Sequence, residues 1–135
     1  MPKVQIRNEV IFKAPTRIGL LADVSEKLNA ASVNILAIGA YDKGDNGEFL
    51  MITDNNKLAY EALGGLGGEM DMQSVVIAEV PNRPGELAAI ARKLAERDIN
   101  VSQVFATSVD GAETVMLVLT AACEVDVVSL LQELG

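Results

Sequence analysis

The sequence predicts an α+β fold built from two copies of one small unit. Two observations predict it: a set of residues recurs after 66 positions, and the apolar runs of each copy follow the order strand, helix, strand, strand, helix. Since 85 minus 19 and 100 minus 34 both give 66, the register is constant, and the expected division is 1–72 and 73–135. The recurring residues are Pro15, Arg17, Gly19, Leu21, Ala22, Lys27, Leu28, Asn34 and Ala40, matched by Pro81, Arg83, Gly85, Leu87, Ala88, Lys93, Leu94, Asn100 and Ala106.

In the second copy, the apolar run over 75–80 predicts a strand that the Pro-rich segment 81–84 ends. A helix follows, with Leu87, Ile90, Ala91 and Leu94 on one face. Strands are expected over 100–106 and 115–120, joined by a turn at Asp110-Gly111. The closing helix has an apolar face of Val127, Val128, Leu131 and Leu134.

The first copy predicts the same elements: strands over 9–14, 33–41 and 49–53, helices over 20–31 and 57–66, and a turn at Asn46-Gly47. The inward residues of its first helix are expected to be Leu21, Val24, Leu28 and Ala31. This order predicts two ferredoxin-like βαββαβ repeats with antiparallel sheets and helices on one face, which requires one more strand in each copy. Residues 70–74 can supply it for the first copy, and residues 3–8 for the second, in the same chain or in a partner chain.

Composition limits the function. A chain of 135 residues with 50% hydrophobic residues is expected to be soluble and globular. Its net charge of -8 argues against nucleic acid, and no apolar run is long enough for a membrane span. A single cysteine, Cys123, allows no intrachain disulfide and favours a cytoplasmic location, and we interpret it as a small filler residue. With no histidine, we predict no catalytic residue, metal site or cofactor.

Two glycines are the first candidates for a binding site. Gly19 and Gly85 stand where a helix opens, so free backbone N–H groups and the helix dipole favour a carboxylate there. Pro84 fixes φ at the start of the helix. The alternative is that these residues only build the turn, and the two roles are compatible.

Other polar residues near these positions have two interpretations each. Asn34 and Asn100 begin a strand predicted to face the same end of the unit and could bind an amino and a carboxylate group, or could cap the preceding helix or occupy a left-handed turn. Arg17 and Arg83 could guard the site for an acidic ligand or lie in solvent. Asn82 is interpreted as a helix N-cap first and a ligand contact second.

The segment Pro81-Asn82-Arg83-Pro84-Gly85-Glu86-Leu87-Ala88, followed by Leu94 and Ile99-Asn100-Val101, resembles the ACT domain family of small-molecule regulatory domains. The first copy resembles it through Arg17, Gly19, Leu21, Leu28 and Val33-Asn34-Ile35, although Thr16 and Ile18 replace Asn82 and Pro84. The resemblance implies a βαββαβ fold, units that pair side by side, and amino-acid ligands held between units. It implies a ligand-binding set of Asn82, Arg83, Pro84, Gly85, Glu86, Leu87, Asn100, Val101, Arg17, Ile18, Gly19, Leu20, Asn34 and Ile35.

Three functions remain as hypotheses. The first is a regulatory sensor, expected as a homodimer, that binds an amino acid or similar small carboxylate between ACT units and acts allosterically on an enzyme of amino-acid metabolism. The second is an assembly module that pairs with a metabolic enzyme and has no ligand. The third is an enzyme, which the lack of a nucleophile and base disfavours.

Overall fold

The computed structural model describes residues 3–134. The strands in this range are β1 (Lys3–Pro15), β2 (Ile35–Lys43), β3 (Asn46–Thr53), β4 (Glu69–Pro81), β5 (Val101–Thr107) and β6 (Thr114–Ala121). The helices are α1 (Leu20–Ala30), α2 (Asn56–Leu63), α3 (Glu86–Glu96) and α4 (Glu124–Glu133), and a 3₁₀ turn (Gly64–Leu66) follows α2. The predicted class, α+β with ferredoxin-like βαββαβ units, is confirmed.

The described residues form two compact groups. Residues 8–73 are called the first unit, and residues 3–7 with 74–134 the second unit. In the first unit β3 pairs antiparallel with both β2 and β1, and β1 has β4 as its other neighbour. In the second unit β6 pairs antiparallel with both β5 and β4, and β4 has β1 as its other neighbour.

Each unit has its own apolar core between its helices and its strands. The first core includes Val10, Phe12, Ala14, Leu20, Val24, Leu28, Phe49, Met51, Ala59 and Leu63. The second includes Val76, Ala78, Val80, Ile90, Leu94, Leu117, Leu119, Val127, Leu130 and Leu131, and Val4 of β1 packs against it. Alternate residues of each strand enter these cores, as the two-residue period of a strand requires.

Both units end their first helix in the same way. The Val33 N–H donates to Leu28 O and the Ser32 N–H to Asn29 O, and the Ile99 and Asp98 N–H groups bond Leu94 O and Ala95 O correspondingly. This is a Schellman motif, which places one residue in the left-handed region. That residue is Ser32 (φ 57°) in the first unit and Asp98 (φ 55°) in the second.

The predicted position of one turn and parts of the predicted inner faces of three helices were wrong. Leu87 and Ala91 of α3 and Leu134 beside α4 are exposed, whereas Leu130 of α4 is buried. The turn expected at Asn46-Gly47 lies at residues 44–45, because Asn46 already pairs with Lys43 and Gly47 with Asp42. The inner face of α1 is Leu20, Val24 and Leu28, while Leu21 is 57% exposed. A stripe that begins one residue earlier has the same helical period, so periodicity could not exclude it.

The second hairpin is longer than the first, which changes the repeat distance. Tyr41 pairs with Glu48 in the first unit, and Thr107 pairs with Met116 in the second. The differences are 107 minus 41, or 66, and 116 minus 48, or 68. Equivalent residues are therefore 66 apart before the hairpin and 68 apart after it.

Candidate ligand-binding site

The two loop glycines adopt the same conformation at the start of a helix. Gly19 (φ 89°, ψ 0°) is the N-cap of α1 and Gly85 (φ 90°, ψ -10°) is the N-cap of α3. A backbone bond from Leu20 N to Arg17 O (3.3 Å) closes the first turn, and one from Glu86 N to Arg83 O (3.5 Å) closes the second. These angles fit the third position of a type II turn, which requires a positive φ. Glycine is therefore needed for the backbone conformation, and no atom lies within 4 Å of a Cβ placed at Gly85.

Each loop arginine contacts an acidic residue of the helix that follows. Arg17 Nη2 lies 2.5 Å from Asp23 Oδ2, and Arg83 Nε bonds Glu86 Oε1. All four side chains are at least partly exposed. Each guanidinium is thus held beside the first turn of a helix, where the positive end of the helix dipole also lies.

Asn82 and Pro84 do not have the predicted positions. The predicted N-cap role of Asn82 is wrong, because Gly85 is the N-cap and the Asn82 amide donates to Ala112 O at 2.8 Å. The Asn82 N–H also donates to Glu113 O, at 2.9 Å. Pro84 precedes the N-cap and occupies the second position of the turn, where its fixed φ is favourable.

The two asparagines lie far from the glycines of their own unit. Asn34 follows the C-terminus of α1 and Gly19 precedes its N-terminus, and a helix of 11 residues is about 16 Å long. The expectation that Gly19 and Asn34 face the same end of a unit is wrong. The left-handed alternative for Asn34 is also wrong, since Ser32 occupies that conformation.

The backbone of Asn34 is fixed by the turn before α2. Its N–H donates to Asp54 Oδ1 at 2.9 Å, and its carbonyl accepts from Asp54 N at 3.1 Å. The residue is exposed. The exposed side chain is therefore presented on a rigid backbone.

A cavity of about 340 Å³ lies beside the loop of the first unit. Its walls come from the end of β1, the start of α1, the end of β2 and the start of β3, and its lining includes Thr16, Arg17, Leu20, Leu21, Ala40, Tyr41, Asp42, Gly47 and Phe49. It contains two of the predicted site residues, Arg17 and Leu20. Gly47 keeps it open, because a Cβ there would lie 3.1 Å from Leu20 Cδ2.

Sequence reasoning missed the part of this cavity that comes from the end of β2. Asp42 accepts a hydrogen bond from Thr16 Oγ1 at 3.3 Å, which links the end of β2 to the loop. The recurrence of Ala40 as Ala106 was the available signal, because it extends the repeat to this end of the strand.

Tyr41 and Glu48 form a polar cluster next to the same cavity. The Tyr41 hydroxyl donates to Glu48 Oε1 at 3.4 Å, and Lys13 Nζ and Lys43 Nζ each lie 3.9 Å from a Glu48 oxygen. Burial raises the pKa of the Tyr41 hydroxyl above its ordinary value of 10.0, and the charge of Glu48 raises it further. The hydroxyl is therefore a neutral hydrogen-bond donor at neutral pH.

The second unit has a cavity of about 340 Å³ that includes Arg83 and Glu86, between α3, α4 and the end of β4. The remaining predicted residues are divided between surface and core. Ile18, Leu87 and Asn100 are exposed. Ile35 and Val101 pack against the cores of their units.

Residues 3–134 contain no group of three or more His, Cys, Asp or Glu side chains arranged to hold a metal ion. Within the same range, no helix combines the length and hydrophobicity that crossing a membrane requires. Cys123 is exposed and is the N-cap of α4, so the interpretation of it as a filler residue is wrong.

Residues 74–135 match the ACT domain model. This segment contains the loop with Gly85, helix α3 and Asn100. A search of curated proteins finds no match to the chain.

Several solved structures share the fold. A protein from Bacteroides thetaiotaomicron has a TM-score of 0.86 and 20% identity, covering 96% of this chain and 89% of its own. The ligand-free regulatory subunit of aspartate kinase from Thermus thermophilus has a TM-score of 0.72 and 17% identity, covering 98% and 95%. The regulatory subunit of aspartate kinase from Thermus flavus has a TM-score of 0.69 and 16% identity, with the same coverage. At these identities the likeness establishes the fold alone.

Proposed function

We propose that this protein is a regulatory sensor that binds an amino acid or a similar small carboxylate between ACT units. In this proposal the chain is a tandem of two ACT units, 1–72 and 73–135, with residues 3–8 closing the sheet of the second. The ACT match over 74–135 and the recurrence of its loop and asparagine in the first copy support the tandem.

One observation carries the proposed location of the ligand. Gly19 and Asn34 lie about 16 Å apart along α1, so an amino acid cannot contact both within one unit. A ligand that uses a glycine loop and an asparagine must take them from different units. That requirement fits a site between units. We expect an assembly of two chains to form such a site.

The loop has the chemistry for a carboxylate. The Leu20 and Glu86 N–H groups close the turns, and the next N–H groups of α1 and α3 lack acceptors within the helix. The glycine lets a ligand approach the backbone closely. Arg17 and Arg83 add positive charge at the same place, although each already pairs with a helix carboxylate. Asn34 or Asn100 of another unit would then bind the amino group through its carbonyl oxygen.

Such a site couples binding to assembly. A ligand that contacts two units binds only their aligned arrangement and stabilises it by its difference in affinity for the aligned and separated states. The partner we propose is an enzyme of amino-acid metabolism. The similar Thermus proteins are regulatory subunits of one such enzyme, aspartate kinase, and at 16 to 17% identity this is an analogy.

The test is a thermal-shift screen against the twenty amino acids, with sedimentation velocity for every hit. A true ligand at 100 times its Kd adds about 2.7 kcal/mol and raises the Tm by several degrees. The variants Asn34→Ala and Asn100→Ala should reduce the shift, and Asn29→Ala, at an exposed position of α1, should leave it unchanged. A hit whose shift survives both test variants would contradict the proposed site.

An assembly module without a ligand is the second candidate. Ile18, Leu21 and Ile38 are exposed apolar side chains of the first unit, and Ile18 is fully exposed. Contiguous exposed apolar patches mark protein interfaces, and this candidate assigns these three side chains to one such interface. A screen without any hit, together with a stable oligomer in the absence of ligand, would favour this candidate.

A further inference from the structure

The cavity of the second unit differs from the proposed site between units because it lies inside one unit. Its floor is apolar and consists of Val80, Ile90 and Leu131, which are all buried. Its rim is polar and includes Lys3, Glu79, Arg83, Glu86 and Thr114. A concave site with an apolar floor and a few polar groups is the common form of a small-molecule site, for which volumes of about 300–1,000 Å³ are typical.

The cores of the two units differ at two equivalent positions. In the first unit the rings of Phe12 and Phe49 lie 6.0 Å apart in the core. The equivalent residues are Ala78 (78 minus 12 is 66) and Leu117 (117 minus 49 is 68). The second unit therefore lacks both aromatic rings at these positions.

A polar residue at the mouth of the cavity is a further difference between the units. Leu20 is buried in the first unit, and its equivalent, Glu86 (86 minus 20 is 66), is partly exposed and bonded to Arg83. A leucine contributes to a core at this position, whereas the glutamate extends to the rim. The two units thus have different residues at a position that lines the cavity of the second unit.

The charges at the rim indicate which ligand fits. Arg83 is paired with Glu86, and Glu79 accepts a hydrogen bond from Thr114 Oγ1 at 3.1 Å. Lys3 lines the cavity and forms no ion pair within 4.0 Å with any residue in the described range 3–134. An ammonium at the rim of an apolar cavity complements a carboxylate that carries an aliphatic chain.

We propose that this cavity binds a small carboxylate with an aliphatic chain, with its carboxylate on Lys3 and its chain on Val80, Ile90 and Leu131. A free amino acid and a carboxylic acid without an amino group share this chemistry. The site does not depend on the pairing of units, so it is independent of the proposed function.

The test uses isothermal titration calorimetry of the full chain with 4-methylpentanoate, leucine and 3-methylbutylamine. Binding of 4-methylpentanoate is expected, binding of leucine as well would identify an amino acid as a possible source, and the amine should not bind. Lys3→Gln should weaken binding about tenfold or more, as loss of a charged hydrogen-bond donor does. Lys57→Gln, at an exposed position of α2, is the matched control and should have no effect.

A second variant tests the cavity itself. Leu134 lines the cavity at the end of α4 and is 38% exposed, so Leu134→Trp can place an indole in the cavity while the core residues stay unchanged. Binding should be lost with the Tm retained. The proposal is overturned if neither carboxylate binds at millimolar concentration, if the amine binds equally well, or if Lys3→Gln has no effect. Binding that is lost in Asn100→Ala but retained in Lys3→Gln would overturn this inference while supporting the site between units.

Discussion

Gly19 and Asn34, which recur as Gly85 and Asn100, lie at opposite ends of one helix. The sequence spacing of 15 residues between them is the same in both copies, since 34 minus 19 and 100 minus 85 give that number. Eleven of the intervening residues form α1, which extends about 16 Å. The glycine loop and the asparagine are thus kept apart inside each unit. A ligand that contacts both must therefore contact two units.

The first prediction concerns Gly85. Gly85→Ala should destabilise the protein by about 1–2 kcal/mol, because the left-handed conformation is unfavourable for a residue with a Cβ even where space is open. Chemical denaturation measures the change. Gly65→Ala is the control, since Gly65 has no positive φ and no atom within 4 Å of its Cβ position, and an equal loss there would contradict the argument. Gly85→Val should in addition abolish ligand binding at the loop.

The second prediction uses the difference between two N-caps. Asn55 caps α2 by accepting from Leu58 N at 3.1 Å, whereas its equivalent, Cys123 (123 minus 55 is 68), caps α4 without a side-chain hydrogen bond. Cys123→Asn should stabilise the protein by about 1 kcal/mol, and Asn55→Ala should destabilise it by about the same amount. Both effects are read from thermal denaturation. Ala122→Asn, one residue before the cap, should give no gain.

The third prediction concerns the left-handed residues Ser32 and Asp98. Ser32→Gly and Asp98→Gly should each stabilise the protein by about 0.5–1 kcal/mol, because glycine adopts this conformation without steric cost. Urea denaturation provides the measurement. Ala89→Gly, within α3, should have the opposite sign and cost about 1 kcal/mol. Destabilisation by both test variants would refute the strain argument.

The fourth prediction concerns the titration of Tyr41. In a Tyr60→Phe background, the tyrosinate absorbance should titrate with a midpoint above 10.0, since burial and Glu48 both disfavour the phenolate. A folded-state pKa above the unfolded value means that the contribution to stability is present below 10.0 and is lost as pH rises through the folded pKa. In Tyr41→Phe, the free energy of unfolding should therefore decrease less as the pH rises above 10.0. A midpoint at or below 10.0 would disprove the prediction.

Secondary structure followed closely from local patterns. The strand over 75–80, the turn at Asp110-Gly111 and the helix over 20–31 were predicted from alternation, turn residues and a 3.6-residue period. The error at Asn46-Gly47 arose because that dipeptide is a strong turn signal, and only the pairing of β2 with β3 moves the turn to residues 44–45. The inner face of α1 was placed one residue late because Leu20 and Leu21 are both apolar.

The candidate sites were predicted less well, because they depend on the directions of side chains and on the volumes that these side chains leave open. The sequence identified Arg17, Leu20, Arg83 and Glu86, and each lines a cavity. It did not identify Gly47, whose missing side chain keeps the first cavity open beside Leu20. Nor did it identify Lys3, which comes from a strand about 80 residues before the loop that it faces.

The repeat, the order of elements and the glycine loops were fully contained in the sequence, because each depends on neighbours within a few residues or on a constant spacing. The positions of the cavities were decided only in the folded chain. Lys3 and Thr114 are 111 positions apart in the sequence (114 minus 3), and only the folded chain brings them to the rim of one cavity. Cavity shape depends on the summed volumes of residues that are distant along the chain, which no local pattern records.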